Sequence, residues 1–149
     1  MLTVTIQKNE RRQMILVDTS VLIDYLKGIE NTSVSAFGKI LENGTPYGIN
    51  ELIYLEVLQG ARTITEYRKL QEYLETIPFY FLTLGKESYE RAAQLNFVCR
   101  RSGVTIRSTI DLLIAQTAIE NDLFLLHNDH DFTNMAKAIK ALKIFEPVS

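Results

Sequence analysis

At 149 residues the chain is long enough for one domain with a real core and short for two of ordinary size. Hydrophobic residues make up 46% and charged residues 23%, as in globular proteins, and a net charge of −2 excludes a basic coat for passive, charge-driven binding of DNA or RNA. An enzyme with a local basic rim stays open. The single cysteine, Cys99, cannot close an intramolecular disulfide. In the apolar run Leu95-Asn96-Phe97-Val98-Cys99 it reads as a small buried hydrophobe rather than a nucleophile. No apolar run reaches the roughly 18 residues of a membrane span, and MLTVTIQKNERRQ lacks the apolar centre of a signal peptide. Together these predict a cytoplasmic protein.

Residues 1–13 are polar and read as an N-terminal extension, either a short strand or a loose tail. The domain is expected over 14–149. Met14-Ile15-Leu16-Val17 predicts a buried strand, with Asp18 at its carboxyl end. Thr19 or Ser20 can cap a helix over Val21–Lys27, which Gly28 stops. Asp18 stands where open α/β sheets place ligand groups, and equally where a helix wants an N-cap. A second helix is predicted over Asn31–Glu42 with Asn43-Gly44 as its stop, then a short strand over Pro46–Ile49. Asn50 caps a third helix, Glu51–Gln59, and Gly60 ends it. Leu52, Ile53, Leu55, Val57 and Leu58 form its apolar face, and Glu56 lies among them, either turned to solvent or buried for a purpose.

Thr65–Thr76 has the pattern of an amphipathic helix, and Phe79–Leu84 after Pro78 that of a strand. Lys86–Ser102 predicts a long helix, in which Arg100-Arg101 before Gly103 suits a helix stop more than a phosphate contact. Arg107, in the loop that follows, is the better candidate for touching a substrate. Ile110, Leu112, Leu113, Ile114, Ala115, Ala118 and Ile119 predict a helix apolar on nearly every side, hence buried. Asp111 in its first turn is costly there unless paired, capped or bound to a metal. Asn121-Asp122 ends the helix, Leu123–Leu126 reads as a buried parallel strand, and Asn128, Asp129 and Asp131 crowd one loop. Leu142–Phe145 is a closing strand. Alternation of strands and helices predicts an α/β domain with a mainly parallel sheet covered on both faces.

In such a sheet Asp18, Glu56, Asp111 and Asp129 all fall near the carboxyl edge. Four converging carboxylates repel one another unless a cation neutralises them. Oxygen ligands select Mg²⁺ or Mn²⁺ over zinc, and His127 and His130 have no partners at zinc-ligand spacing. One or two hard ions in a carboxylate cage are the equipment for phosphodiester cleavage.

MILVDTSVLIDYL, IYLEVLQGA, TIRSTIDLLIAQTAIEN and LLHNDHDF, in this order, resemble the four acidic motifs of PIN domains, above all the VapC-type ribonuclease toxins of bacterial toxin–antitoxin pairs. The resemblance spans residues 14–145. It implies a three-layer α/β/α fold, Asp18 and Asp111 as main metal ligands, and Glu56 completing the cage or orienting the attacking water. It also implies Asp129 binding a second ion or assisting the first, Ser20 beside the metal, and Asp131 as an auxiliary acid. It further implies RNA as substrate, a homodimer, and a partner antitoxin that covers the site with its C-terminal segment. His127 departs from the family, which often has Thr or Ser there; a packed or rim histidine and an RNA contact both fit. Tyr25, Tyr54 and Tyr67 suit either an interface or the core. Two other functions compete. A receiver-like phosphorylation switch wants paired acids after the first strand and a Lys after the last, whereas Asp18 stands alone and Lys143 lies within the last strand. A catalytically silent PIN-like module binding RNA or protein is the remaining alternative.

Overall fold

A computed structural model of the chain describes residues 13–147. The extension expected over 1–13 lies, but for Gln13, outside them. Four short strands form one sheet in the order β2-β1-β3-β4: β1 Ile15–Val17, β2 Tyr47–Gly48, β3 Phe124–Leu126 and β4 Lys143–Ile144. All three pairings are parallel, with Leu16 opposite both Gly48 and Leu125, and Leu125 opposite Ile144. Ile15, Leu16 and Val17 are each fully buried although neighbours in a strand face opposite ways, so helices cover the sheet on both faces. This is the three-layer α/β/α fold the resemblance implied.

Seven helices connect and cover the strands among the described residues: α1 Thr19–Leu26, α2 Thr32–Asn43, α3 Glu51–Gln59, α4 Ile64–Glu75, α5 Lys86–Arg101, α6 Thr109–Glu120 and α7 His130–Ala138. Their starts follow local chemistry. Asn31, Asn50 and Thr63 each accept the N–H three residues on, at 2.9, 2.9 and 3.1 Å. Gly44 ends α2 at φ 64°, a left-handed turn that glycine adopts without strain. Asn50 also donates to the buried Thr117 hydroxyl at 3.1 Å, tying the start of α3 to the middle of α6. As expected, α6 is buried along Leu112 and Ile114–Ala118.

Four expectations need correction. Of the offered caps it is Asp18, rather than Thr19 or Ser20, that caps α1, which therefore begins at Thr19, two residues earlier than expected. Leu55 is 53% exposed and belongs to no core face of α3. The strand expected over Phe79–Leu84 shrinks to one parallel bridge, Ile49 to Phe79. Its would-be partner turns into α3 at Asn50, so the ladder has nothing to continue on. Side chains of α6 and its cap take over: Asn121 donates to the Phe81 carbonyl and Glu120 accepts the Thr83 N–H, both at 3.0 Å. Gly48 lies against this segment; a Cβ there would sit 2.5 Å from the Pro78 carbonyl oxygen. Finally, α7 was not foreseen. Asp131 stands in its first turn rather than in an open loop, and Phe132, Met135 and Ile139 bury one face of the segment.

Candidate metal centre

The carboxyl ends of β1 and β3 lie side by side, and the acids gather there. Asp18 is 4% exposed. Its Oδ2 accepts the Ser20 N–H at 3.2 Å and the Ser20 hydroxyl at 2.7 Å. The Ser20 oxygen in turn accepts the Asn128 N–H at 3.0 Å, stitching the start of α1 to the loop after β3. The Thr19 hydroxyl donates to Glu56 Oε1 at 2.8 Å, bringing α3 to the same edge. Glu56 is half-buried, and its exposed neighbour Leu55 shows the rotation of α3 that turns it inward.

Asp111, Asp129 and Asp131, all half-buried, present carboxylate oxygens that lie within 4.8 Å of one another. Asp129 caps α7 by accepting the Asp131 N–H at 2.9 Å, which sets the two acids on one turn. Burial raises Asp111 to about 7, and the charges of Asp18, Asp129, Glu56 and Asp131 add to it, in that order. Asp18 rises to about 6 through burial, against the pull of the Ser20 hydrogen bonds. Five acids therefore share one electrostatic neighbourhood centred on Asp111, while Asp18 and Glu56 stand outside the tight group of three. Among the described residues none of the five forms an ion pair; the salt bridges join other acids, Glu87, Glu90 and Asp122. An all-oxygen donor set with no cationic partner fits a hard divalent ion such as Mg²⁺ or Mn²⁺.

Of the predicted site residues, Asp18, Ser20, Glu56, Asp111, Asp129 and Asp131 come together. Arg107 is exposed in the loop before α6 and makes no hydrogen bond or ion pair among the described residues. His127 is half-buried and packed: its ring lies 5.4 Å from that of Phe132, and Nδ1 accepts the Asp129 N–H at 3.1 Å. Burial lowers its pKa. Thr19 is the residue the sequence did not reveal. Beside an acid it looks like an N-cap, and only the fold brings it to Glu56.

The sequence pattern of the PIN domain matches residues 15–138, and this chain belongs to the PIN-domain family. Ribonuclease VapC11 of Mycobacterium tuberculosis (strain ATCC 25618 / H37Rv) is 29% identical over 125 residues, spanning 83% of this chain and 92% of the relative. The fold resembles VapBC2 from Rickettsia felis, solved bound to a DNA fragment from its promoter, with a TM-score of 0.68, 15% identity and coverage of 89% and 98%. It also resembles a toxin–antitoxin complex from Klebsiella pneumoniae, with a TM-score of 0.59, 22% identity and coverage of 87% and 99%.

Proposed function

We propose that this chain is a Mg²⁺- or Mn²⁺-dependent endoribonuclease, the toxin of a toxin–antitoxin pair. The observation that carries the reading is the group Asp111, Asp129 and Asp131 within 4.8 Å, with no ion-pair partner among the described residues. Membership of the PIN family and the likeness to VapC11 support it. Asp111, Asp129 and Asp131 would hold the ion, and Asp18, whose charge acts on Asp111, would join them from the end of β1. A divalent ion bound there supplies the positive charge that phosphodiester hydrolysis needs at the attacked phosphate.

The chain's own groups do the rest. Ser20 fixes Asp18 in one rotamer. Thr19 occupies Glu56 Oε1, leaving Oε2 to orient a water and take its proton. Arg107, exposed and without a partner acid among the described residues, binds an RNA phosphate at the rim. An antitoxin protein fits the apolar groove of about 590 Å³ between α1, α3 and α4, lined by Ile23, Leu26, Val57, Leu70 and Tyr73. A second copy of the chain fits the exposed side chains Phe81, Tyr89, Phe97 and Val98 around α5. The test of activity is cleavage of single-stranded RNA by the purified chain. It should vanish in EDTA and return with either ion; undiminished cutting in chelated, metal-free buffer contradicts the reading.

A further inference from the structure

α5 hands over to α6 through residues 102–108, and it packs against both α6 and α7, the helices that bear Asp111 and Asp131. Between the last turns of α5 and this loop lies a cavity of about 160 Å³, lined by Asn96, Arg100, Gly103, Val104, Thr105 and Ile106. Arg107 follows directly. From Ile106 to Asp111 the backbone runs two residues of loop and one helical turn, a separation of at most about 12 Å. We propose that this cavity holds one phosphate of the RNA strand, a few nucleotides from the bond being cut, with Arg100 as its principal ligand. The proposal rests on the nuclease reading above.

Donors surround the cavity and no carboxylate lines it. Asn96 and Arg100 are four residues apart, so they share one face of α5. The Asn96 amide, the Arg100 guanidinium and the Thr105 hydroxyl can each donate. None of the three makes a hydrogen bond or ion pair among the described residues. The backbone N–H groups of Thr105 and Ile106 donate to nothing within them either. Arg101, about 100° further round the helix, stands over the Phe97 ring instead. The arginine pair therefore divides, one engaged on an aromatic ring and the other free at a cavity. A guanidinium meets a phosphate with two parallel N–H donors. Four phosphate oxygens take about the space of four waters, roughly 120 Å³ at about 30 Å³ each, which the cavity provides. With a net charge of −2 the chain has no general basic coat, so a few such arginines must supply the attraction a polyanion feels. Arg100 also complements the carboxyl end of α5, a role confined to stability and therefore separable.

The experiment measures binding of a fluorescent single-stranded oligoribonucleotide to the full chain in EDTA, over a series of salt concentrations. For a single strand each phosphate contact contributes about −0.7 to the slope of log affinity against log salt. Arg100→Gln should flatten the slope by about that amount and weaken binding roughly tenfold at low salt, equally for every base sequence. Arg100→Lys should keep the slope, and Lys39→Gln, which removes an exposed cation on α2, should change neither slope nor affinity. With Mn²⁺ present, Arg100→Gln should raise KM for RNA more than it lowers kcat, because the phosphate it holds is not the one attacked. Inorganic phosphate should displace the strand only at far higher concentrations than the oligonucleotide itself. Displacement at equal concentrations would mark a free-anion site and overturn the RNA assignment. An unchanged slope in Arg100→Gln, or no RNA binding by wild type, overturns the proposal. A change confined to melting temperature makes Arg100 a helix stop and overturns it as well. A slope that flattens as expected, in a chain that cuts no RNA with Mg²⁺ or Mn²⁺, supports the phosphate site and overturns the nuclease reading instead.

Discussion

Asp111 is the residue on which the site's electrostatics converge. Unfolded, it and Asp18 titrate near 3.8; folded and metal-free, they titrate at about 7 and about 6. The folded state thus holds extra protons between those values. Stability from this source is fully present below about pH 4 and is lost as pH rises through 6 and 7. For the buried Asp18 alone, at about 1.4 kcal/mol per pH unit, the loss is about 3 kcal/mol. Denaturant unfolding in EDTA should show the chain less stable at pH 8 than at pH 5.5. Asp111→Asn keeps the shape and removes one charge, so without metal it should melt at or above wild type at pH 8 while cleavage falls to background. Melting well below wild type would mark Asp111 as a structural cap. Thr19→Val should cut the cleavage rate about tenfold or more without changing the metal requirement, and Thr19→Ser should restore it, because only the hydroxyl reaches Glu56. The acids themselves were legible in the sequence, since a carboxylate in the first turn of an apolar helix asks for a partner. Thr19 was not, because its partner lies 37 residues away.

At the level of elements, sequence was most readable where an element declares its own ends. The Asn50 cap and Gly60 stop bound α3 as expected, and the apolar periodicity of α6 marked its burial. It was least readable where tertiary context decides. Phe79–Leu84 has strand-like residues, but a strand needs a partner, and the neighbouring chain leaves for α3 after Ile49. The start of α7 was masked by three polar residues that looked like loop chemistry, although Asp129 as N-cap and Phe132, Met135 and Ile139 at helical spacing carry the signal. Asn50 links these elements to function: it caps α3 and reaches the buried Thr117 of α6, the two helices that bear Glu56 and Asp111. Asn50→Ala should cost about 2 kcal/mol from cap and packing together, lowering Tm by several degrees. Cleavage per folded molecule should fall too; an unchanged rate would show that the link serves stability alone.

At the scale of the whole molecule, the proposed metal centre would trade stability for function, a cluster of like charges that a bound cation would neutralise. The exposed side chains around α5 make a second prediction at this scale. Phe97 is 60% exposed with Arg101 over its ring at 5.8 Å, and if the chain pairs through this face as proposed, placing a charge there should convert the pair to monomers. Sedimentation of Phe97→Glu beside wild type checks this; a variant that pairs as wild type does places the interface elsewhere, and a monomeric wild type contradicts the pairing. The measurement that bears most directly on the central claim is calorimetric titration of the metal-free chain with Mn²⁺, in buffers of different ionisation heat. An ion bound by carboxylates that titrate at about 6 and about 7 must displace their protons. Wild type should therefore bind Mn²⁺ with clear proton release at pH 6 and little at pH 8.5, and Asp111→Asn should lose most of both the binding and the release. Binding of equal strength and equal proton release in the variant, or no binding by wild type, would contradict the assignment of these acids as a metal centre.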